Sequence, residues 1–175
     1  AASIAHTLMQ MQQQFGLISN GRDAADRMAA EGLREFESRE RAQREAAMRT
    51  TSDRLRPIVL PAGRGPDHFT HMLKTLARLE RTDGLTLPQL LVEVQSRLPR
   101  DATILVIVQE VDEPTALALG MLRRYGFSVV TIVNNYENEA FALAASRLMA
   151  QHIGVHHLLD EESIAHLCTS LMLLA

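Results

Sequence analysis

Tryptophan is absent from this chain of 175 residues, cysteine occurs once, and lysine occurs once, at position 74. The single Cys168 excludes an internal disulfide and fits a reducing compartment, and its place in an apolar helical pattern predicts a buried, inert thiol. No apolar run approaches the roughly 20 residues of a membrane span, so we expect this segment to be soluble. A net charge of −3 argues against a dedicated nucleic-acid surface.

The start of the chain lacks an initiator Met, a basic n-region and a signal-peptide pattern. We therefore expect a fragment of a longer protein. Whether a membrane anchor lies further upstream is left open. An open parallel sheet usually has a strand before its first helix, whereas this chain starts inside that helix. One central strand is accordingly expected upstream of Ala1.

Short apolar strands alternate with amphipathic helices along most of the chain. Strands are predicted at 15–19, 57–61, 103–108, 128–133 and 155–159, with helices between them. The continuous β-branched run Thr103–Val108 is typical of a central parallel strand buried on both faces. The pattern predicts one α/β domain over 1–175, with a three-layer, doubly wound, mostly parallel sheet of the Rossmann-like kind.

A charged segment at about 22–56 interrupts this alternation. It holds nine Arg and eight Asp or Glu in 35 positions, with almost no apolar periodicity. The mixed signs favour a solvated helical insertion over a nucleic-acid arm, and a role in partner binding stays open.

The carboxyl end of the 103–108 strand carries Gln109, Glu110 and Asp112, just before a predicted helix. Ligands of open α/β sheets bind where strand ends meet helix N-termini, so these are candidate binding residues. Gly63-Arg64-Gly65-Pro66-Asp67 is a second strand-to-helix turn, at which an anion or nucleotide could bind through Gly63, Arg64 and Gly65. It lacks both the dinucleotide and the Walker patterns, and a plain turn is the favoured interpretation.

The spacing of the histidines matches no metal-binding motif. His68 and His71 lie three apart on a helix without a third ligand, which favours a surface position. His156 and His157 point to opposite faces of a strand and cannot act as a pair. No nucleophile–base arrangement is evident, so we predict that the chain is not an enzyme.

Several stretches resemble the C-terminal part of a bacterial family, the domain-of-unknown-function family fifty-eight, whose C-terminal region is a von Willebrand factor A-like domain. The resemblance rests on Phe15-Gly-Leu-Ile-Ser-Asn-Gly, Arg56-Pro-Ile-Val-Leu-Pro, Leu85-Thr-Leu-Pro-Gln-Leu-Leu and Thr103-Ile-Leu-Val-Ile-Val, with Ala1-Ala-Ser-Ile-Ala-His and Leu76-Ala-Arg-Leu. It implies a membrane-anchored parent protein and a partner among the MoxR-type AAA+ ATPases.

The same resemblance implies a metal-ion-dependent adhesion site holding Mg²⁺. Its Asp-x-Ser-x-Ser loop would lie upstream of Ala1. Thr86 stands where the family's loop Thr is expected, and Glu110 stands where the metal Asp is expected, with Asp112 as the alternate. Since Mg²⁺ demands near-ideal octahedral geometry, Glu in place of Asp leaves open whether the site binds metal or is degenerate.

We therefore expect a protein–protein interaction domain that works with an AAA+ ATPase in the assembly or maturation of other proteins. Its partner surface is predicted around Gln109, Glu110 and Asp112, in the cytoplasm or at the inner face of the bacterial membrane. The alternative is a small-molecule or nucleotide-binding α/β domain that uses the turn from Gly63 to Asp67.

Overall fold

Strands and helices alternate along the computed structural model of the chain, which describes residues 1–25, 28, 56–81 and 84–172. Two compact units make up the fold. We call Ala2–Leu90 the N-terminal unit, and Leu91–Ala175, together with Ala1, the C-terminal unit. The boundary between the two units falls between Leu90 and Leu91, within the helix Leu87–Val94.

The N-terminal unit contains short strands in two antiparallel pairs, with helices beside them. Its elements are α1 (Ala2–Gln10), β1 (Phe15–Ser19), β2 (Arg22–Asp23), β3 (Ile58–Gly63), α2 (Gly65–Arg78), β4 (Leu79–Glu80) and the start of α3 (Leu87–Val94). Strand β1 pairs with β3, and β2 pairs with β4. A small core joins α1, β1, β3 and α2 through the buried side chains Ala5, Phe15, Leu60 and Met72.

A bulge interrupts the β1–β3 pair. Phe15 faces Gly63 and Leu17 faces Leu60, so Gly16 on β1 opposes two residues, Pro61 and Ala62, on β3. Gly16 has no room for a side chain there, because a Cβ would lie 2.7 Å from the Leu60 carbonyl oxygen. Pro61, within β3, donates no backbone hydrogen bond, and proline is tolerated in sheets at edges and bulges of this kind.

The C-terminal unit is built on a three-stranded parallel sheet. Its elements are the end of α3, a 3₁₀ turn (Gln95–Arg97), β5 (Thr103–Val108), α4 (Glu113–Arg124), β6 (Ser128–Val133), α5 (Asn138–Ala150), β7 (Gly154–His157) and α6 (Glu162–Met172). The strand order is β5-β6-β7, and the register pairs Val108 with Val133 and Val133 with His157.

Helix ends in this unit follow the local sequence closely. Asp160 accepts a hydrogen bond from the Ser163 amide at 2.8 Å and caps α6, as an N-cap aspartate should. Gly126 follows α4 with φ +95°, a left-handed conformation that glycine adopts without steric cost. Both were predicted from the sequence.

The prediction of an α/β fold with a parallel sheet is confirmed in its coarse form. The strand Thr103–Val108 has the predicted bounds and parallel pairing. Its predicted central position is wrong within the described part of the chain: β6 is central, buried from Val129 to Val133, and β5 pairs on one side only. Apolar composition reports burial, but it does not identify a strand's neighbours.

The expected single, mostly parallel sheet is also not what the described strands form. They form one parallel sheet and two antiparallel pairs. Periodicity predicts that a segment is a strand, but the direction of pairing depends on contacts distant in sequence, which is why β1 and β3 were misassigned.

Two further predictions concern particular residues. Cys168 is half-buried where a fully buried thiol was expected. Most of the predicted insertion at 22–56 lies outside the described residues.

None of the helices in the described part of the chain combines the length and the hydropathy of a membrane span.

Candidate functional site

The carboxyl ends of β5, β6 and β7 meet at one edge of the parallel sheet. Strand β5 runs into Gln109 and Glu110, β6 into Asn134 and Asn135, and β7 ends at His157. Parallel pairing aligns these ends, since Val108, Val133 and His157 share one register. The structure therefore brings the predicted residues Gln109 and Glu110 to the same edge as the β6 loop and His157.

Asn135 organises this edge through three hydrogen bonds. Its side-chain Nδ2 donates to the Gln109 carbonyl at 3.3 Å, and its Oδ1 accepts from the Glu137 amide at 2.9 Å. Its own carbonyl accepts from Nε2 of His157 at 2.7 Å. One residue thus connects the loops after β5 and β6 to the end of β7.

The His157 ring is held on a second side by an aromatic contact. Phe141, in the first turn of α5, stacks on the imidazole with 3.9 Å between ring centroids and 5° between planes. Because a carbonyl oxygen can only accept, Nε2 of His157 carries the proton in this hydrogen bond. Orientation and hydrogen-bonding role of the imidazole are both fixed.

The loop between β5 and α4 is anchored at two more points. Nη1 of Arg147 donates to the Val111 carbonyl at 2.7 Å, and the Val111 side chain is buried. Asp112 caps α4 by accepting from the Thr115 amide at 2.9 Å. Gln109 and Glu110 lie between the end of β5 and these anchors, and both side chains are exposed.

Asp112 has a structural task at the helix start. Hydrogen bonds from the side chain and the amide of Thr115 lower the pKa of its carboxyl below the ordinary value of 3.8. One of its oxygens is engaged in the cap, while the residue itself remains exposed. Its predicted roles, as alternate metal ligand and partner contact, stay predictions.

Tyr136 adds an exposed aromatic ring to the same edge. It follows Asn135 directly, and 78% of its surface is accessible. The fixed edge thus displays Gln109, Glu110 and Tyr136. We call these three residues the display surface.

Thr86 belongs to the N-terminal unit, where it begins α3. Its amide donates to Oε1 of Gln89 at 2.9 Å, and its carbonyl accepts from the Leu90 amide at 2.9 Å. Gln at the third helical position returning to the cap amide is one half of a capping box. The Thr86 side chain is exposed.

Thr86 also lines a cleft of about 590 Å³ within that unit, formed by residues 19–21, 79–81 and 84–86. The Asn20 side chain donates to the carbonyl of Leu85, another lining residue, at 2.8 Å. The lining is mixed, with Ser19, Asn20 and Arg81 beside two leucines.

The predicted metal ligands Thr86 and Glu110 thus lie in different units. Among the described residues, no group of three or more His, Cys, Asp or Glu is arranged to hold a metal ion. The Mg²⁺ site stays a prediction from the resemblance.

The segment from Gly63 to Asp67 joins β3 to α2 as predicted, with Gly63 ending β3, Arg64 between the two elements and Gly65 beginning α2. Gly65 has φ +86°, Pro66 lies in the first turn of α2, and the exposed Arg64 makes no side-chain capping bond. A Cβ on Gly63 would lie 2.6 Å from Nδ1 of His68, so this glycine is explained by packing. Anion binding by Gly63, Arg64 and Gly65 stays a prediction.

His68 is not the solvated helix histidine that the sequence indicated. It is half-buried, and its Nε2 donates at 2.7 Å to the carbonyl of Phe15, which lies beside the bulge in the β1–β3 pair. His71, one turn further along α2, is exposed as expected.

Sequence reasoning missed the set formed by Asn135, Phe141 and His157. The sequence did show the pair Asn134-Asn135 after β6 and a histidine at the end of β7. Only the parallel register of the two strands makes these residues neighbours. Comparison of the chain with protein-family models, curated proteins and solved structures gives no match.

Proposed function

We propose that this chain is a protein-binding module whose contact surface is the display surface at the carboxyl edge of the β5–β6–β7 sheet. The observation that carries the proposal is the contrast between fixed backbone and exposed side chains. Asn135, His157, Arg147 and Asp112 hold the loops, while Gln109, Glu110 and Tyr136 are exposed.

Preorganisation explains why such an edge suits binding. Ordering a mobile side chain or loop on association costs free energy, and loops already held in place avoid much of that cost. Tyrosine provides a large amphipathic contact with few rotatable bonds, and it is enriched in binding hot spots.

The partner we propose is a MoxR-type AAA+ ATPase, with a role in the assembly or maturation of other proteins. This part rests on the resemblance, as do a von Willebrand A-like fold for the complete domain and a location in the cytoplasm or at the inner membrane face. The carboxyl edge of the sheet is the region where such a domain would contact its partner.

A metal ion is not needed for this proposal. In the part of the chain that the structure describes, no group of three or more His, Cys, Asp or Glu is arranged to hold a metal ion, and Oδ1 of Asp112, the carboxylate nearest to Glu110 in sequence, caps α4. Glu110 is instead proposed to contact the partner directly through its exposed carboxylate.

The test uses the chain's two tyrosines as a matched pair. Tyr136 lies at the carboxyl end of β6, whereas Tyr125 lies before its amino end and is 62% exposed. Binding of the purified ATPase, measured by biolayer interferometry with ATP present, should weaken about tenfold or more in Tyr136→Ala and little in Tyr125→Ala.

A charge reversal gives a second pair. Glu110→Lys should weaken ATPase binding strongly, whereas Glu139→Lys, an exposed change on α5, should leave it nearly unchanged. Equal effects of the two members in both pairs, or no ATPase binding by the unaltered chain, would contradict the proposal.

The alternative function predicted from the turn at Gly63 is tested separately. Thermal unfolding should be followed with ATP, ADP or Mg²⁺ alone. A stabilisation by nucleotide that disappears in Arg64→Ala would support a nucleotide-binding domain.

A further inference from the structure

Strand β5 has the composition of an interior strand but lies at an edge of the sheet that the described strands form. Its six residues, Thr103–Val108, include no charge, no proline and no glycine. Within the described part of the chain it pairs with β6 alone. Proteins usually protect edge strands with charges, proline or short length, because unpaired backbone groups template association.

The other outer strand of the same sheet, β7, shows such protection. Strand β7 has only four residues, Gly154–His157, and two of them are histidines. The ring of His157 is occupied by Asn135 and Phe141. The contrast between the two edges singles out β5 as the one built to be covered.

The register identifies the backbone groups on the free side of β5. The Val108 carbonyl accepts from the Asn134 amide at 2.7 Å, so the polar groups of Val108 point toward β6. Polar groups of successive strand residues alternate in direction. Those of Thr103, Leu105 and Ile107 therefore point away from β6, and 42% of the Ile107 surface is exposed.

We propose that the free edge of β5 pairs with β5 of a second copy of this chain, in antiparallel orientation, about a two-fold axis at Leu105. This register places Leu105 opposite Leu105 of the second copy and Thr103 opposite Ile107. All three are outward-bonding residues, so the pairing forms about six backbone hydrogen bonds. The two sheets become one continuous six-stranded sheet.

Charge complementarity at the ends of the ladder supports a second copy as the occupant. With Leu105 on the axis, the turn before β5 that holds Arg100 of each copy lies at the same end of the ladder as Glu110 of the other. Both side chains are exposed, and symmetry provides this pair twice. The same surface is thereby self-complementary in backbone, in apolar side chains and in charge.

A charge-reversal series tests the pairing in solution. Sedimentation velocity over a concentration range should show a monomer–dimer equilibrium for the unaltered chain. Arg100→Glu should weaken dimerisation about tenfold, since two attractive pairs become repulsive, and Glu110→Arg should act similarly. The double change Arg100→Glu with Glu110→Arg should restore the dimer.

Cross-linking tests the register, in a Cys168→Ser background. Leu105→Cys should form an intermolecular disulfide readily, because directly opposite residues of a hydrogen-bonded pair lie about 5.5 Å apart. Thr103→Cys is the matched control, since two such cysteines would be separated by about 13 Å along the ladder.

An edge charge provides a further check on the surface used. Ile107→Lys should weaken the dimer, whereas Leu117→Lys should not, although Leu117 on α4 is similarly exposed at 45%.

A chain that stays monomeric at high concentration overturns the proposal and leaves the β5 edge to another polypeptide. Faster cross-linking at position 103 than at 105, or no rescue by the double change, also overturns it. Glu110 takes part in both proposals, so Arg100→Glu and Ile107→Lys, which leave the display surface unaltered, test the dimer separately from ATPase binding.

Discussion

His68 and His157 make the same two contacts in the two units of this protein. Each imidazole donates from Nε2 to a main-chain carbonyl at 2.7 Å, and each packs on a phenylalanine ring. His68 joins α2 to the start of β1 through Phe15, a residue of the small core of that unit. His157 joins the end of β7 to the loop that displays Tyr136.

The two contacts differ in the surroundings of the carbonyl group that accepts the hydrogen bond. Phe15 is buried, so its carbonyl at the bulge is poorly placed to recruit water if His68 is lost. Asn135 is half-buried at a loop, where water can replace part of the lost bond. One interaction thus mainly stabilises a core, while the other mainly positions a surface.

The largest expected effect is that of His68→Ala. It should lower the free energy of unfolding by about 2 kcal/mol, because a buried carbonyl loses its donor and the Phe15 ring loses a neighbour. Urea unfolding followed by circular dichroism measures this. His71→Ala, on the exposed face of the same helix, should change stability by less than about 0.5 kcal/mol. Equal losses in the two variants would break the comparison.

His157→Ala should cost less, about 1 kcal/mol, because water can reach the Asn135 carbonyl. Its main consequence should be local, with hydrogen exchange at the Glu137 amide at least about tenfold faster. His156→Ala, on the opposite face of β7, is the control and should leave that amide unchanged. If exchange at Glu137 is insensitive to both, His157 does not position the loop.

Asp112→Ala should lower stability by about 1 kcal/mol or less through loss of the α4 cap, whereas Asp112→Asn should retain most of it. The pKa of this carboxyl is lowered in the folded state, so the carboxylate contributes stability above its unfolded pKa near 3.8. That contribution is lost as pH falls through the lower folded value. The acid limb of the stability curve should therefore be flatter in Asp112→Asn, and an identical limb would contradict this assignment.

The smallest stability effect is expected for Glu110→Gln, within about 0.5 kcal/mol, because the side chain is exposed. ATPase binding should nevertheless weaken, since the carboxylate is proposed to contact the partner. Thermal unfolding and interferometry on one preparation separate the two properties. A large loss of stability would move Glu110 from the displayed residues to those that hold the edge.

Much of the secondary structure could be read from local pattern. The bounds of β5 and β6, the cap at Asp160 and the glycine after α4 depend on residues within a few positions of each other. The cap at Asp112 was readable by the same logic, because Pro114 and Thr115 follow it in the first turn of α4.

The positioning residues of the candidate site could not be read this way. Asn135, Phe141 and His157 come from a loop, a helix and a strand, and parallel register alone makes them neighbours. His68 posed the same difficulty, since its partner Phe15 is 53 positions away.

By itself, the sequence determined the element types, several of their boundaries and the exposed polar residues at the end of β5. Only the tertiary structure decided that β6 rather than β5 is central, that β1 and β3 run antiparallel, and which carbonyl each histidine meets. The reason is physical. Side-chain periodicity and capping act over a few residues, whereas strand pairing and aromatic stacking depend on groups that meet only after the chain has folded.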